Sequence, residues 1–350
     1  MKKFLCIILA ILMILPVALF TGCNSKETTK ETNKPADNTP AEELKLGLGI
    51  YSYFKSATDA TEDTNGAGTV VLNAAAVLVD ANGKVVKCDI DTLEASVAYT
   101  ADGKYVAPSE FLSKREQGND YNMIAYGGAA KEWFDQVDAF EKAIVGKTVG
   151  EIKALVATDN KGTQEVITAG CTIKINEFVL AIEKATINAK ASKATADDNL
   201  KVAIAASASG NDYSVATVDG EEVVNKGSAK VEMNVSAVAT NGKGVITAVS
   251  TDCAEASFSF DDKGAALTDT AATIMTKHEK GANYGMVEYA KADKEWFEQA
   301  NILDTACVGK NYNGVKELVA DNGKGIESVV TAGCTITISG LVNAILKAAK

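Results

Sequence analysis

The chain has 350 residues, 47% hydrophobic and 23% charged, with 28 Gly and 4 Pro, which excludes wholesale disorder and gives a soft prior of two domains. The formal net charge is −11; removing Lys2 and Lys3 with the leader described next takes it to −13 (−11 − 2), against the basic surface that nucleic acid or anionic headgroups require. The single histidine, His278, excludes multi-histidine metal sites.

Residues 1–22 read as a secretory signal peptide: Lys2 and Lys3, an apolar run from Phe4 to Phe20, then the small residues Thr21 and Gly22. The ending Phe20-Thr21-Gly22-Cys23 resembles the lipobox of bacterial lipoproteins, with Phe20 where leucine is usual. That resemblance implies lipidation of Cys23 and a chain held by acyl groups on the outer face of the cell membrane; an envelope protein or a redox partner is left open as a further partner. Residues 24–43 carry no large apolar side chain and read, with Cys23, as a tether over 23–43. Their Lys, Asn and Thr content fits a low-GC Gram-positive source.

The rest is a duplication. Residues 113–185 align without a gap on 276–348, and 35 of the 73 positions are identical. The upstream match is looser, with Asp91 and Glu94 falling on Asp252 and Glu255; these carboxylates read as solvated residues at a sheet rim. We place repeat domain 1 at 44–188, a linker at 189–198 and repeat domain 2 at 199–350. Each copy is long enough for a core of its own.

Within repeat 1, Thr69–Asp80 and Lys84–Asp91 read as strands joined by the turn Ala81-Asn82-Gly83, and Glu94–Thr100 as a third strand. Trp133, Val137, Phe140 and Ile144 then mark one face of a helix, with Gly146 after its end. A short helix covers 148–156, Thr172–Ile175 alternates as a strand, and Asn176 caps a last helix. In repeat 2 the helix stripe is Trp296, Ala300, Leu303 and Cys307, the strand is Thr335–Ile338 and the cap is Ser339. The predicted fold class is α+β: two tandem homologous domains, each an antiparallel sheet with packed helices.

Five cysteines remain outside the leader and tether anchor: Cys88, Cys171, Cys253, Cys307 and Cys334. Only Cys171 and Cys334 are equivalent, and they read as buried thiols; one disulfide among the other three is left open. A second constellation, Lys114-Arg115-Glu116 with Tyr121, Met123 and Tyr126, recurs as Lys277-His278-Glu279 with Tyr284, Met286 and Tyr289. It reads either as the lining of a pocket for a flat ligand or as a loop packed on the core.

The segment TAGCT, at 168–172 and 331–335, with the Ala-rich helix after it, resembles the C-terminal signature of the FMN-binding domain family. The blocks around Tyr121 and Trp133 are also similar to those of clostridial surface lipoproteins. The first resemblance implies an FMN-binding-domain-like fold. It also implies FMN as cofactor, with Gly170, Thr172, Gly333 and Thr335 as binding residues and the threonines as points of phosphoester attachment. The chain departs from the family in having Val166 and Val329 where an aspartate is usual. No metal site, nucleophile elbow, P-loop or catalytic set is predicted. The function implied is a cell-surface binding module of FMN-binding or electron-carrier type. The alternative is a cofactor-free structural or interaction lipoprotein of the envelope.

Overall fold

The computed structural model describes residues 42–350; the signal peptide, Cys23 and most of the tether lie outside the described residues. The fold is mixed α and β with antiparallel sheets, 27% helical and 36% strand. Among the described residues no helix is long and apolar enough to cross a membrane.

Repeat 1 opens with three long strands, β1 (Lys45–Thr58), β2 (Gly66–Val79) and β3 (Val85–Tyr99), then the two-residue β4 (Tyr105–Val106). Helices α1 (Lys114–Gln117), α2 (Trp133–Ile144), α3 (Val149–Lys153), α4 (Gln164–Ala169) and α5 (Asn176–Asn188) follow. A crossover containing β5 (Lys190–Ala191) leads to repeat 2. There β6 (Asn199–Asn211), β9 (Gly227–Thr240) and β10 (Ile246–Phe260) form the sheet. An inserted hairpin, β7 (Ser214–Val218) and β8 (Glu221–Asn225), separates β6 from β9. Helices α6 (Lys277–Lys280), α7 (Trp296–Cys307), α8 (Tyr312–Lys316), α9 (Glu327–Thr331) and α10 (Ser339–Ala348) complete it. The sheet orders are β4-β3-β2-β1-β5 and β10-β9-β6.

The strands differ from the sequence reading in two respects. The first strand of each copy was assigned no element, although Leu44, Leu46, Leu48 and Ile50 alternate inward along it. The two predicted strands Lys84–Asp91 and Glu94–Thr100 are one continuous β3. The Ala81-Asn82-Gly83 turn is present, with the Asp80 carboxylate accepting the Asn82 and Lys84 N–H groups.

The repeats do not close separate cores. The inner faces of the two sheets share one, in which Leu46, Leu72, Leu93 and Val97 pack with Val202, Val231, Met233 and Phe258. The outer face of each sheet carries its own helices: α2 and α5 on the first, α7 and α10 on the second. The order of layers is therefore helix, sheet, sheet, helix. Strand β2 is covered on both faces, which is why it reads as an unbroken apolar run rather than an alternation. Helix α5 lies directly on β1: a Cβ at Gly49 would sit 2.0 Å from the Ala181 carbonyl oxygen. The stretch 189–198, expected as a linker, is packed. Lys190 and Ala191 pair with β1, and Ala194 and Asp198 are buried.

Contacts between the repeats are reciprocal. Lys347 of α10 pairs with Glu116 of α1 at 2.6 Å, and Lys184 of α5 pairs with Glu279 of α6 at 2.5 Å. At the far end of the sheets the Asp59 carboxylate accepts the Ala266 N–H (2.8 Å) and the Asp212 carboxylate accepts the Tyr105 N–H (2.9 Å). Ala60 N–H donates to the Gly264 carbonyl, and Tyr213 N–H to the Gly103 carbonyl. Each pair maps onto the other under exchange of repeats, the pattern of a twofold interface.

A shared core predicts one cooperative unfolding transition. In Trp133→Phe only Trp296 reports, and in Trp296→Phe only Trp133. The two variants should show coincident denaturant midpoints by fluorescence and circular dichroism. Well-separated midpoints would mean that the repeats unfold as independent domains.

Candidate binding site

The TAGCT segment is the end of one helix and the approach to the next. Helix α4 stops at Gly170, whose φ of 112° is left-handed; Gly333 has φ 106°. Cys171 and Cys334 are fully buried, and burial pushes both thiols up to about 11. The predicted strand Thr172–Ile175 is absent apart from one bridge, Lys161 to Lys174, because the segment must turn to start α5. Asn176 is the first residue of α5 rather than its cap, and its side-chain oxygen finds no partner. Ser339 likewise begins α10 after the cap position Ile338.

The motif threonines face inward. The Thr172 N–H and hydroxyl both donate to Gln136 Oε1, at 3.0 and 2.9 Å. In repeat 2 the Thr335 N–H and hydroxyl donate to Gln299 Oε1, at 2.8 and 3.1 Å. Each glutamine is buried, and its amide group donates to the Lys131 or Lys294 carbonyl. A buried carbonyl oxygen needs donors, and the threonine supplies two. The following helix start is also engaged: the Ile175 and Asn176 N–H groups donate to the Asn160 carbonyl, and those of Ile338 and Ser339 to Gly323. These residues do not fit a phosphoester-linked flavin, whose attachment would take the hydroxyl from the glutamine and whose phosphate would meet occupied N–H groups. Sequence reasoning missed Gln136 and Gln299, although the position is identical in both copies, three residues after each tryptophan.

Beside Thr172, repeat 1 has an open cleft of about 330 Å³ between the outer face of its sheet and the helix layer. Tyr53, Asn73, Thr92 and Glu94 come from the strands, and Glu177 and Phe178 from α5. The predicted Lys114, Tyr121 and Met123 line it with Trp133 and Ile173. Tyr126, predicted with them, does not join; it is 89% exposed. The strand wall is a hydrogen-bonded array. Asn73 Nδ2 donates to Glu177 Oε2 at 3.1 Å, Tyr53 donates to the same oxygen at 3.3 Å, and the Thr92 hydroxyl donates to Asn73 Oδ1 at 2.7 Å. The Lys114 ammonium lies 4.7 Å from the Tyr121 ring centre and 5.6 Å from that of Trp133.

The same place in repeat 2 is filled. Gly340 replaces Glu177, and the Asn234 amide closes over it; a Cβ there would lie 2.5 Å from Asn234 Nδ2. Lys277, equivalent to Lys114, is buried and pairs with Glu255 at 3.3 Å and Glu232 at 3.7 Å. Lys230 adds a second cation, 3.0 Å from Glu255. Of the second constellation, Lys114, Tyr121 and Met123 line the repeat 1 cleft while Arg115, Glu116 and Tyr126 do not, and in repeat 2 Lys277 is packed against Glu232 and Glu255.

Asp91 and Asp252, expected in solvent, are buried. Each receives the N–H of the next residue and of a residue in the following helix: Asp91 Oδ1 accepts from Thr92 (2.7 Å) and Arg115 (3.1 Å), and Asp252 Oδ1 from Cys253 (2.7 Å) and His278 (3.1 Å). Burial raises Asp91 to about 6, and Asp252 and Asp304 to about 7, despite those donors. Desolvation of the half-buried His278, with the Lys190 charge nearby, holds it down to about 4. The five cysteines of the described residues are all free, so the open disulfide does not form.

No family model matches the chain, and no solved structure matches it. A chlorophenol reductase from Desulfitobacterium hafniense is 26% identical over 126 residues, which is 32% of this chain. The match spans only 38% of that protein.

Two measurements follow from this geometry. Gln136→Leu removes the acceptor for two Thr172 donors and should cost about 1–3 kcal/mol by chemical denaturation, with Gln299→Leu equivalent in repeat 2. A cost near zero for both would mean the clamp is not structural. The second measurement concerns pH. A carboxyl raised by folding contributes most below its unfolded value of 3.8, and that contribution is lost as pH rises through about 7. His278 acts oppositely, losing stability as pH falls from 6.5 toward about 4. The melting temperature of Asp304→Asn relative to the parent should therefore climb between about pH 5 and about pH 8. A difference independent of pH would show that Asp304 titrates normally.

Proposed function

We propose that this protein is a lipid-anchored binding module of the cell surface, with its ligand cleft in repeat 1. The anchor rests on the Phe20-Thr21-Gly22-Cys23 ending. The binding reading is carried by the contrast between the open cleft at Lys114, Trp133 and Glu177 and its filled counterpart at Lys277, Glu232 and Gly340. Two copies of one scaffold have the same helix, tryptophan and lysine, and one of them leaves space. An open cleft lined by aromatic side chains and a few convergent polar groups favours a ligand.

The lining selects a small ligand with a planar apolar part and hydrogen-bonding groups. The ring lies against Trp133, Tyr121, Met123 and Phe178. Asn73 and Glu177 receive or donate at its polar edge, and Lys114 and Lys174 stand ready for an anionic group. Noncovalent FMN is one member of this class, in keeping with the family resemblance of the TAGCT segment. Phenols are another, and the partly similar chlorophenol reductase is the reason to include chlorinated ones. The residues supply orientation and charge.

The test is quenching of Trp133 fluorescence in the Trp296→Phe background, with FMN, riboflavin, phenol and 4-chlorophenol as probes. Saturable quenching by at least one is expected, weakened about tenfold in Glu177→Ala or Lys114→Ala, the loss of one charge-assisted contact. Silence across the whole panel would remove the small-ligand reading and leave the cofactor-free envelope interaction protein.

A further inference from the structure

A second pair of clefts, distinct from the one above, is related by the exchange of repeats. In repeat 1 the cleft is about 320 Å³ and is organised by Arg115. Its guanidinium donates to the Ile90 carbonyl (2.6 Å), to Asp138 (2.9 Å) and to Glu141 Oε1 (2.6 Å), with Asp89 at 3.6 Å. The counterpart in repeat 2 is about 580 Å³ and has no such group. His278 occupies the equivalent position, but its ring turns edge-on to Trp296 and its Nε2 has no partner. Asp89, Asp138 and Glu141 become Ser250, Asn301 and Asp304.

One element of the arrangement is kept. Asp304 Oδ2 accepts the Thr251 N–H at 3.1 Å, as Glu141 Oε1 accepts the equivalent Ile90 N–H at 2.7 Å. In repeat 1 that same oxygen also takes the arginine, so a second donor at this carboxylate has a precedent inside the molecule. Among the described residues no basic side chain is in ion-pair contact with Asp304. The crossover and the residue before β1 bring Lys190, Lys193 and Glu43 to the larger cleft, and the Lys190 charge already reaches Asp304 and His278 without an ion-pair contact. A ligand meeting both Asp304 and these lysines carries a cation at one end and an anion at the other.

We propose that this cleft binds a small guanidinium-bearing zwitterion. Its guanidinium takes the place of Arg115 against Asp304 and Asn301, and its carboxylate faces Lys190 and Lys193. The chain contains a single arginine, so its own side chain displays, in repeat 1, the recognition that a ligand completes in repeat 2.

The probe is free L-arginine, titrated calorimetrically into the full chain at about pH 8, where Asp304 is ionised. One saturable site is expected. Citrulline, which replaces the guanidinium with a neutral urea, and agmatine, which lacks the carboxylate, should each bind at least about tenfold more weakly. His278→Arg should fill the cleft from within and abolish the heat. Lys190→Ala, at an exposed position that leaves folding intact, should weaken arginine and leave agmatine unchanged. No heat with arginine, equal binding of citrulline, or undiminished binding by both variants would overturn the proposal.

Discussion

The structure depends on one layer of contact, the apolar seam between the two sheets. Strands β2 and β9 lie at the centre of their sheets and are buried along nearly their whole length. Each has one face in the seam and the other under its own helices, so neither repeat can be withdrawn without stripping the inner face of its partner. Removing that cover would expose Leu46, Leu72, Leu93 and Val97 together, a larger apolar patch than a soluble surface carries. The helices answer the remaining demand. Gly47 and Gly49 let α5 approach β1 closely, and Trp133, Phe140, Phe178 and Ile182 fill the rest of the outer face.

On this common frame the two halves use the same positions for different purposes. Both lysines lie over the tyrosine and tryptophan of their repeat, but Lys114 stands beside a cleft whereas Lys277 is buried and also pairs with two glutamates. Arg115 ties together three carboxylates, whereas His278 is uncharged and leaves Asp304 to a threonine. The TAGCT segment is one part that did not diverge. Its glutamine, threonine, glycine and buried cysteine recur with nearly the same hydrogen bonds, which is the behaviour of a structural clamp that both helix layers need.

What the sequence made legible follows from what is periodic. The stripe from Trp133 to Ile144 lies on one helix face, and the duplication at an offset of 163 positions is visible residue by residue. The first strand of repeat 1 is hard to read because Gly47 and Gly49, weak strand formers, fill its second face, and glycine there serves a helix more than a hundred residues away. The inward turn of Thr172 was hidden for a related reason: its partner, Gln136, is 36 residues distant and reads as an ordinary polar position on a helix. Asp91 and Asp252 were assigned to solvent because charge usually means exposure, but here backbone donors of a later helix compensate burial. The packing of the two copies onto each other had no local signature, since each pattern is equally consistent with a core of its own.

The reciprocal pairs Lys347–Glu116 and Lys184–Glu279 have an evolutionary reading. Two identical subunits meeting across a twofold axis make each contact twice, and any substitution alters both copies at once. Joining the subunits through the crossover at 189–198 holds them at a fixed, high effective concentration and ends that obligation. An ancestral homodimer fused in this way can change one half while the other retains the old solution. The single arginine at 115, matched by a histidine at the equivalent position 278, is what such released symmetry leaves behind.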